Sequence, residues 1–340
     1  MSTDVASMKR INLESVSGSR QLTQRILRSR NFQLLVVMVV IAVAGILANH
    51  GLATYRVLAN VLIAAMVSAF VAMGELLVLI TKGIDLSVAP ILGLSAVIVG
   101  FPAQNHGMSM LPGVLIGAAV GAALGVGNGL LVAVAKMPPI IATLATFSIY
   151  SGLQFVVTNG QQVNQIPDAY TRWGVVTNRF LGLPPLFWAG IVVMAIVIFV
   201  LRKTAFGRNL YAVGGDLEES VRLGIPTRRL IFFAYVLSGM FAGLAGIVYL
   251  MRTGSADAVT GVQTNENLNA IAACLVGGAT LTGGRGTAGG AMLGSIFLSL
   301  ALVVMGSAAH IPPVWQPAGV GVLIIISVLA DVRARRREQL

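Results

Sequence analysis

The chain has 340 residues, 56% of them hydrophobic and only 10% charged, with a net charge of +11. Soluble domains carry about 25% charged residues, so the composition excludes a soluble globular protein and leaves an all-α polytopic membrane protein. The positive charge does not point to nucleic acid: six basic residues precede residue 32, six lie from Arg202 to Arg229, and Arg333, Arg335, Arg336 and Arg337 end the chain. Such clustering fits the positive-inside rule and not a basic patch interleaved with aromatics.

Residues 1–31 read as a basic cytosolic tail, too long for an ordinary signal peptide, with an amphipathic helix around Leu22–Leu27. A bilayer is spanned by about 20 apolar residues in a helix. Ten candidate crossings follow, near 33–49, 57–81, 85–102, 111–135, 138–158, 184–201, 230–251, 267–282, 287–306 and 315–330. The third and eighth are short and glycine-broken. If they are re-entrant rather than spanning, the count falls to eight. An even count puts both termini on one side, the cytosol, together with the loop 202–229. The membrane body is 32–332 and the basic cytosolic tail is 333–340.

The run Leu76–Gly100 is apolar but interrupted by Lys82, Gly83, Asp85 and Ser87. A charge at the bilayer centre costs about 2.5–3.5 kcal/mol on insertion scales. "TKGIDLSV" (81–88) and "TGSADAV" (253–259) hold corresponding places in two five-span halves. They suggest an inverted repeat, in which paired broken segments mark a solute site near the midplane.

In the loop 202–229, Gly214 and Gly215 end one segment. Asp216 is placed to cap a short helix, with Glu218 and Glu219 in a first turn favoured by the dipole. Ser220 follows, Arg222 sits near the end, and Gly224 closes the helix. Leu217, Val221 and Ile225 make it amphipathic. It reads either as a docking helix for a partner groove or as a solvated loop held inside by its arginines.

No reactive constellation is present. The single cysteine, Cys274, excludes an internal disulfide, and His50, His106 and His310 match no metal spacing. H-E-x-x-H, G-x-S-x-G and the Walker lysine loop are all missing. No catalytic residue, metal, cofactor or ATP site is expected. Glu75 and Asp85 alone are thin support for a proton relay.

The motifs "GIDLSVAPILGL", "GNGLLVAVAKMPPIIATLATFSIYSG", "KTAFGRNLYAVGGDLEESVRLGI" and "LNAIAACLVGGATLTGGRGTAGGAMLG" occur in that order. Over about residues 33–332 the chain resembles the permease subunit of bacterial ATP-binding-cassette sugar importers of the ribose/arabinose/xylose type. The stretch Glu218, Glu219, Ser220, Gly224 is similar to a loose form of the importer pattern E-A-A-x-x-x-G. Most relatives have asparagine and two alanines where this chain has Asp216, Glu219 and Ser220, which adds negative charge and implies a basic partner groove. The resemblance implies a homo- or heterodimer of permeases in the inner membrane, a cytosolic ATPase and a periplasmic solute-binding protein. It implies a monosaccharide or similar polyhydroxylated solute, moved by alternating access.

Against that background Asp85 has three readings: capping a helix that starts at Leu86, bonding sugar hydroxyls, or pairing with Lys82. The backbone freed at the break must be satisfied by protein or a water-filled cavity, so it is expected at the edge of the path. Glu75, Asn128, Thr143, Thr146 and Tyr150 are further pathway candidates, the last three on one helical face. Their structural alternatives are a buried pair, an interhelical bond and threonine bonding to its own helix. Glu266 and Asn269, with Asn265 and Asn267, line an entrance or cap the eighth segment. Trp173 touches the binding protein or anchors at the interface. Rival readings are a nucleoside or cyclic signalling sugar as solute, an ion-coupled carrier, and a membrane-embedded enzyme.

Overall fold

The computed structural model describes residues 30–338. The helix expected around Leu22–Leu27 and nearly all of the N-terminal tail lie outside the described residues. The described chain is helical: α1 (Arg30–Ala48), α2 (Tyr55–Ile80), α3 (Val88–His106), α4 (Met110–Gly129), α5 (Pro139–Thr158), the single turn α6 (Asp168–Thr171), α7 (Pro185–Lys203), α8 (Ala205–Gly215), α9 (Leu217–Arg222), α10 (Thr227–Thr253), α11 (Glu266–Val276), α12 (Ala288–Ser307) and α13 (Gln316–Glu338). One π turn, Leu130–Val134, extends α4.

Among the described residues eight helices are long and apolar enough to cross a membrane. The expected eighth crossing is α11, with 11 residues. That is about 16 Å of helix, so α11 does not span alone. The expected third crossing starts at Val88 rather than Asp85. In α13 the apolar stretch of the sequence runs to Ala330, ahead of Asp331 and the basic tail.

The core forms around α2, which is apolar on every side and buried from Val61 to Ile80 save for Ala64. A helix without a polar face has to be surrounded, and α10, α11 and α12 surround it. The tightest contact joins α4 to α10. Gly113, Gly117, Gly121, Gly125 and Gly129 recur every fourth residue on the buried ridge of α4. Opposite lie Gly239 and Gly243, and a Cβ on Gly121 would overlap the backbone of both. In lipid, where helix association rests on packing, backbones at this distance supply the attraction.

Neighbour relations repeat between the halves. α4 packs on α10 as α12 packs on α2; α3 packs on α10 as α11 packs on α2. Likewise α3 meets α4 and α5 as α11 meets α12 and α13. The likeness of 81–88 to 253–259 therefore belongs to a repeat carried by whole helices.

Both repeats break after their long helix. At the first, Lys82 takes the left-handed conformation (φ 67°). Its N–H donates to Leu79 O and that of Gly83 to Val78 O, both at 3.0 Å, a Schellman closure. The left-handed residue is thus the lysine and not the glycine. Gly83 is required for room: a Cβ there would lie 2.5 Å from Tyr235 Oη. At the second break α10 ends on Gly254 at φ 70°.

Candidate functional site

The break after α2 is held by side chains from four elements. Asp85 is fully buried. Its Oδ1 accepts from Ser87 N–H at 3.1 Å and Ser87 Oγ at 2.7 Å, and its Oδ2 accepts from Ser238 Oγ on α10 at 3.0 Å. Its own N–H donates to Glu75 Oε1 at 3.1 Å. Asn128 Nδ2 donates to Ser87 Oγ at 2.7 Å, and Thr146 Oγ1 donates to Asn128 Oδ1 at 2.7 Å. Thr143 Oγ1 reaches both Pro139 O (2.9 Å) and Ile84 O (3.1 Å). Tyr150 Oη donates to Leu124 O at 2.9 Å, tying α5 to α4.

Glu75, Asp85, Asn128, Thr143 and Thr146 thus form one connected network, with Tyr150 on the same face of α5. The helix expected to start at Leu86 starts at Val88 instead. Leu86 and Ser87 form the turn ahead of it, and the Asp85 carboxylate holds that turn through Ser87. Asp85 does not pair with Lys82: Lys82 Nζ donates to Gly215 O at 3.2 Å instead. Glu75 Oε2 and Tyr235 Oη are buried without a hydrogen-bond partner among the described residues.

Glu266 and Asn269 lie apart from this network. Glu266 is buried and accepts from Ser68 Oγ on α2 at 2.8 Å. Asn269 Nδ2 donates to Thr264 O at 3.0 Å. Asn265 is left-handed (φ 52°) and its side chain does not cap α11.

Sequence reasoning passed over Ser238, Tyr235 and Gln154. Gln154 continues the α5 face by one turn beyond Tyr150, and that spacing was its signal. Its Nε2 donates to Asp257 O (2.9 Å) and Thr260 O (3.2 Å). Asp257 Oδ1 accepts from Val259 N–H (3.0 Å) and Thr260 Oγ1 (2.9 Å), as Asp85 accepts from Ser87. One polar face of α5 therefore holds both breaks, the first through Thr143 and the second through Gln154.

The second cluster lies at the end of the bundle where α2 finishes. Gly214 packs its backbone against Ile80 O and Gly284 N, and Gly284 N–H donates to Ile80 O at 2.9 Å. Asp216 caps α9 by accepting from Glu219 N–H at 2.9 Å. That bond holds the Asp216 carboxyl below the usual aspartate range; desolvation opposes it, and Glu218 N–H, Lys82 and Arg222 each lower it further. Glu218 and Arg222 lie 3.9 Å apart one turn along, both well exposed. Ser220 is buried. Gly224, at φ 75°, closes the helix. Its N–H donates to Val221 O and that of Ile225 to Ser220 O, both at 3.0 Å. Leu217, Val221 and Leu223 are exposed. Ile225, expected on the same stripe, turns inward to pack on the core.

The described residues contain no group of metal-ligating side chains. The arrangement can hold backbone open inside a membrane and present a rigid acidic helix outside it.

The model of the family described as branched-chain amino acid transport system / permease component matches residues 57–328. The autoinducer 2 import system permease protein LsrC of Photorhabdus laumondii is 32% identical over 310 residues, 90% of each chain. That of Klebsiella pneumoniae is 32% identical over 311 residues, 92% of this chain and 89% of its own. That of Escherichia coli O157:H7 is 34% identical over 326 residues, 95% of this chain and 90% of its own. No solved structure matches the chain. A helical bundle with paired internal breaks, matched over most of its length, belongs to the branched-chain amino acid transport system / permease component family.

Proposed function

We propose that this chain is the permease subunit of an ATP-driven importer and carries a sugar-like, polyhydroxylated solute across the bacterial inner membrane. The observation that carries this reading is α9. A helix of six residues does not persist alone in water, yet this one is fixed by Asp216 at one end and Gly224 at the other, with an exposed apolar stripe flanked by Glu218 and Glu219. A preformed amphipathic helix suits a groove on a partner, and its acids call for a basic groove, which a cytosolic ATPase would supply. ATP hydrolysis belongs to that partner.

The link from docking to solute runs through the Lys82 side chain. Lys82 bonds Gly215 O, and Lys82 stands three residues before Asp85. Movement of α9 therefore pulls on the break. The network of Glu75, Asp85, Asn128, Thr143, Thr146 and Tyr150 borders the solute path, with Glu266 and Asn269 toward its outer mouth. Support for this comes from non-helical backbone at membrane depth, which belongs beside a path or within protein. The working unit is the body 32–332, paired with a second permease and served by a periplasmic solute-binding protein, both termini in the cytosol.

The test is capture of the tagged protein from its native membrane in mild detergent, followed by uptake in vesicles. Co-recovery of an ATPase and uptake that needs internal ATP are expected. Autoinducer 2, named for the relatives, and simple monosaccharides are the first solutes to try. Uptake that survives without any ATPase and collapses with an ionophore would replace this reading with an ion-coupled carrier.

A further inference from the structure

Two grooves meet at Tyr55, at the end of the bundle away from α9. The helix α2 runs 26 residues from Tyr55 to Ile80, about 39 Å. The larger groove, ≈ 790 Å³, leads from Arg172 and Arg179 past Trp188 to Val192 on α7. The smaller, ≈ 380 Å³, is almost wholly apolar and lies between α1, α2 and α12, with Tyr55 on its wall. The Arg179 guanidinium stands 3.6 Å over the Tyr55 ring, so a single stacked pair divides the two.

We propose that these grooves together bind one anionic phospholipid, with its phosphate at Arg172 and Arg179 and its acyl chains along α7 and beside α2. Neither arginine has an ion-pair partner among the described residues. A planar guanidinium at the edge of hydrocarbon favours an anion that offers two oxygens side by side, and the two non-bridging oxygens of a phosphate diester do so. Tyr55 Oη is buried there without a hydrogen-bond partner and adds a donor at the junction.

The walls are preformed. Trp188 Nε1 donates to Phe180 O at 2.8 Å, and the two rings meet edge to face at 6.4 Å. Asn178 Nδ2 holds Arg172 O at 2.7 Å. A tight turn at Leu181 and Gly182, both at positive φ, fixes the loop onto α7. The groove then continues into the exposed face of α7 at Val192, Ile196 and Phe199. That face belongs to a membrane-crossing helix. A water-soluble partner can reach the arginines but cannot follow α7 to that depth, whereas an acyl chain can.

The chain has three tryptophans, and Trp173 and Trp188 both line the larger groove. In the full-length protein carrying Trp315→Phe, their fluorescence is read in nanodiscs containing chain-brominated phosphatidylglycerol or phosphatidylcholine at equal mole fraction. Two basic residues acting on an anionic headgroup predict a preference of about thirtyfold for phosphatidylglycerol quenching. Arg172→Gln with Arg179→Gln should abolish the preference, and Arg172→Lys should keep most of it. Arg172→Gln alone leaves the Tyr55–Arg179 stack in place and should weaken the preference with no loss of thermal stability. Equal quenching by the two lipids, or a preference untouched by the double variant, would overturn the proposal. So would shielding of both tryptophans by a soluble protein without any lipid preference, which would assign the groove to protein docking. The readout involves no transport, so its result is independent of the importer reading.

Discussion

Asp85 concentrates the polar chemistry of the interior. Its carboxylate takes donors from Ser87 and Ser238, and removing it leaves them unpaired in a buried site. Hydrogen bonds to charged groups contribute about 1.5–3 kcal/mol each. Asp85→Ala should therefore lower stability in detergent by at least that much, seen as a fall in melting temperature. Asp85→Asn keeps an oxygen toward Ser87, so it should melt near the parent; a large loss of uptake in that variant would mean that the charge itself is used. Asp216 gives a prediction in pH. Its folded pKa is depressed, so it stabilises α9 fully above its unfolded value, about 3.9. That contribution fades as pH falls through the lower folded value. The Glu219 amide resonance should titrate with a midpoint below about 3.9, and Asp216→Ser, which caps without titrating, should abolish the transition. The caps at Asp216 and Gly224 were legible because capping is local chemistry. The partners of Asp85 were not, because Ser238 is 153 residues away and nothing in an apolar helix states what it faces.

At the scale of elements, the spans were readable from apolar length, and their ends shifted by a few residues where turns took over. What apolar length could not reveal was which glycines touch. The abundance of glycine implied close helix pairs, but the α4–α10 ridge emerges only when both helices are in place. Gly121→Ala puts a methyl into the backbone of α10. Overpacking of this kind costs about 1–3 kcal/mol or more, and the variant should show reduced yield and an earlier melt. Gly152→Ala in α5 meets nothing within 4 Å and should behave as the parent in the same measurement. The short α11 read as either a crossing or a re-entrant segment because its apolar run continues past Val276 into the turn at Gly277 and Gly278.

At the scale of the molecule, the repeat seen in eight residues of sequence extends to the neighbour relations of four helix pairs. It could not be read from the chain alone because only the two break segments keep a visible likeness. In the proposed importer, coupling to the ATPase would depend on α9 keeping its shape and sign. Glu218→Lys with Glu219→Lys should abolish ATPase recovery while leaving membrane insertion intact, by pull-down and blot. Gly224→Val forces a β-branched residue into a left-handed conformation, a strain of about 1–2 kcal/mol, and should weaken the same recovery. Normal transport by both variants would remove α9 from the coupling role.

The π turn at Leu130–Val134 carries one residue more than an α turn would hold, directly between Asn128 and the start of α5. If it tightened to α geometry, the surplus residue would pass to the downstream end of α4, a screw motion of about 1.5 Å and a rotation of roughly 100°. The connection Ala135–Pro138 would receive that motion, and with it the face of α5 that grips both breaks. A one-residue change of register in that turn would therefore be felt at Thr143 and Gln154 together.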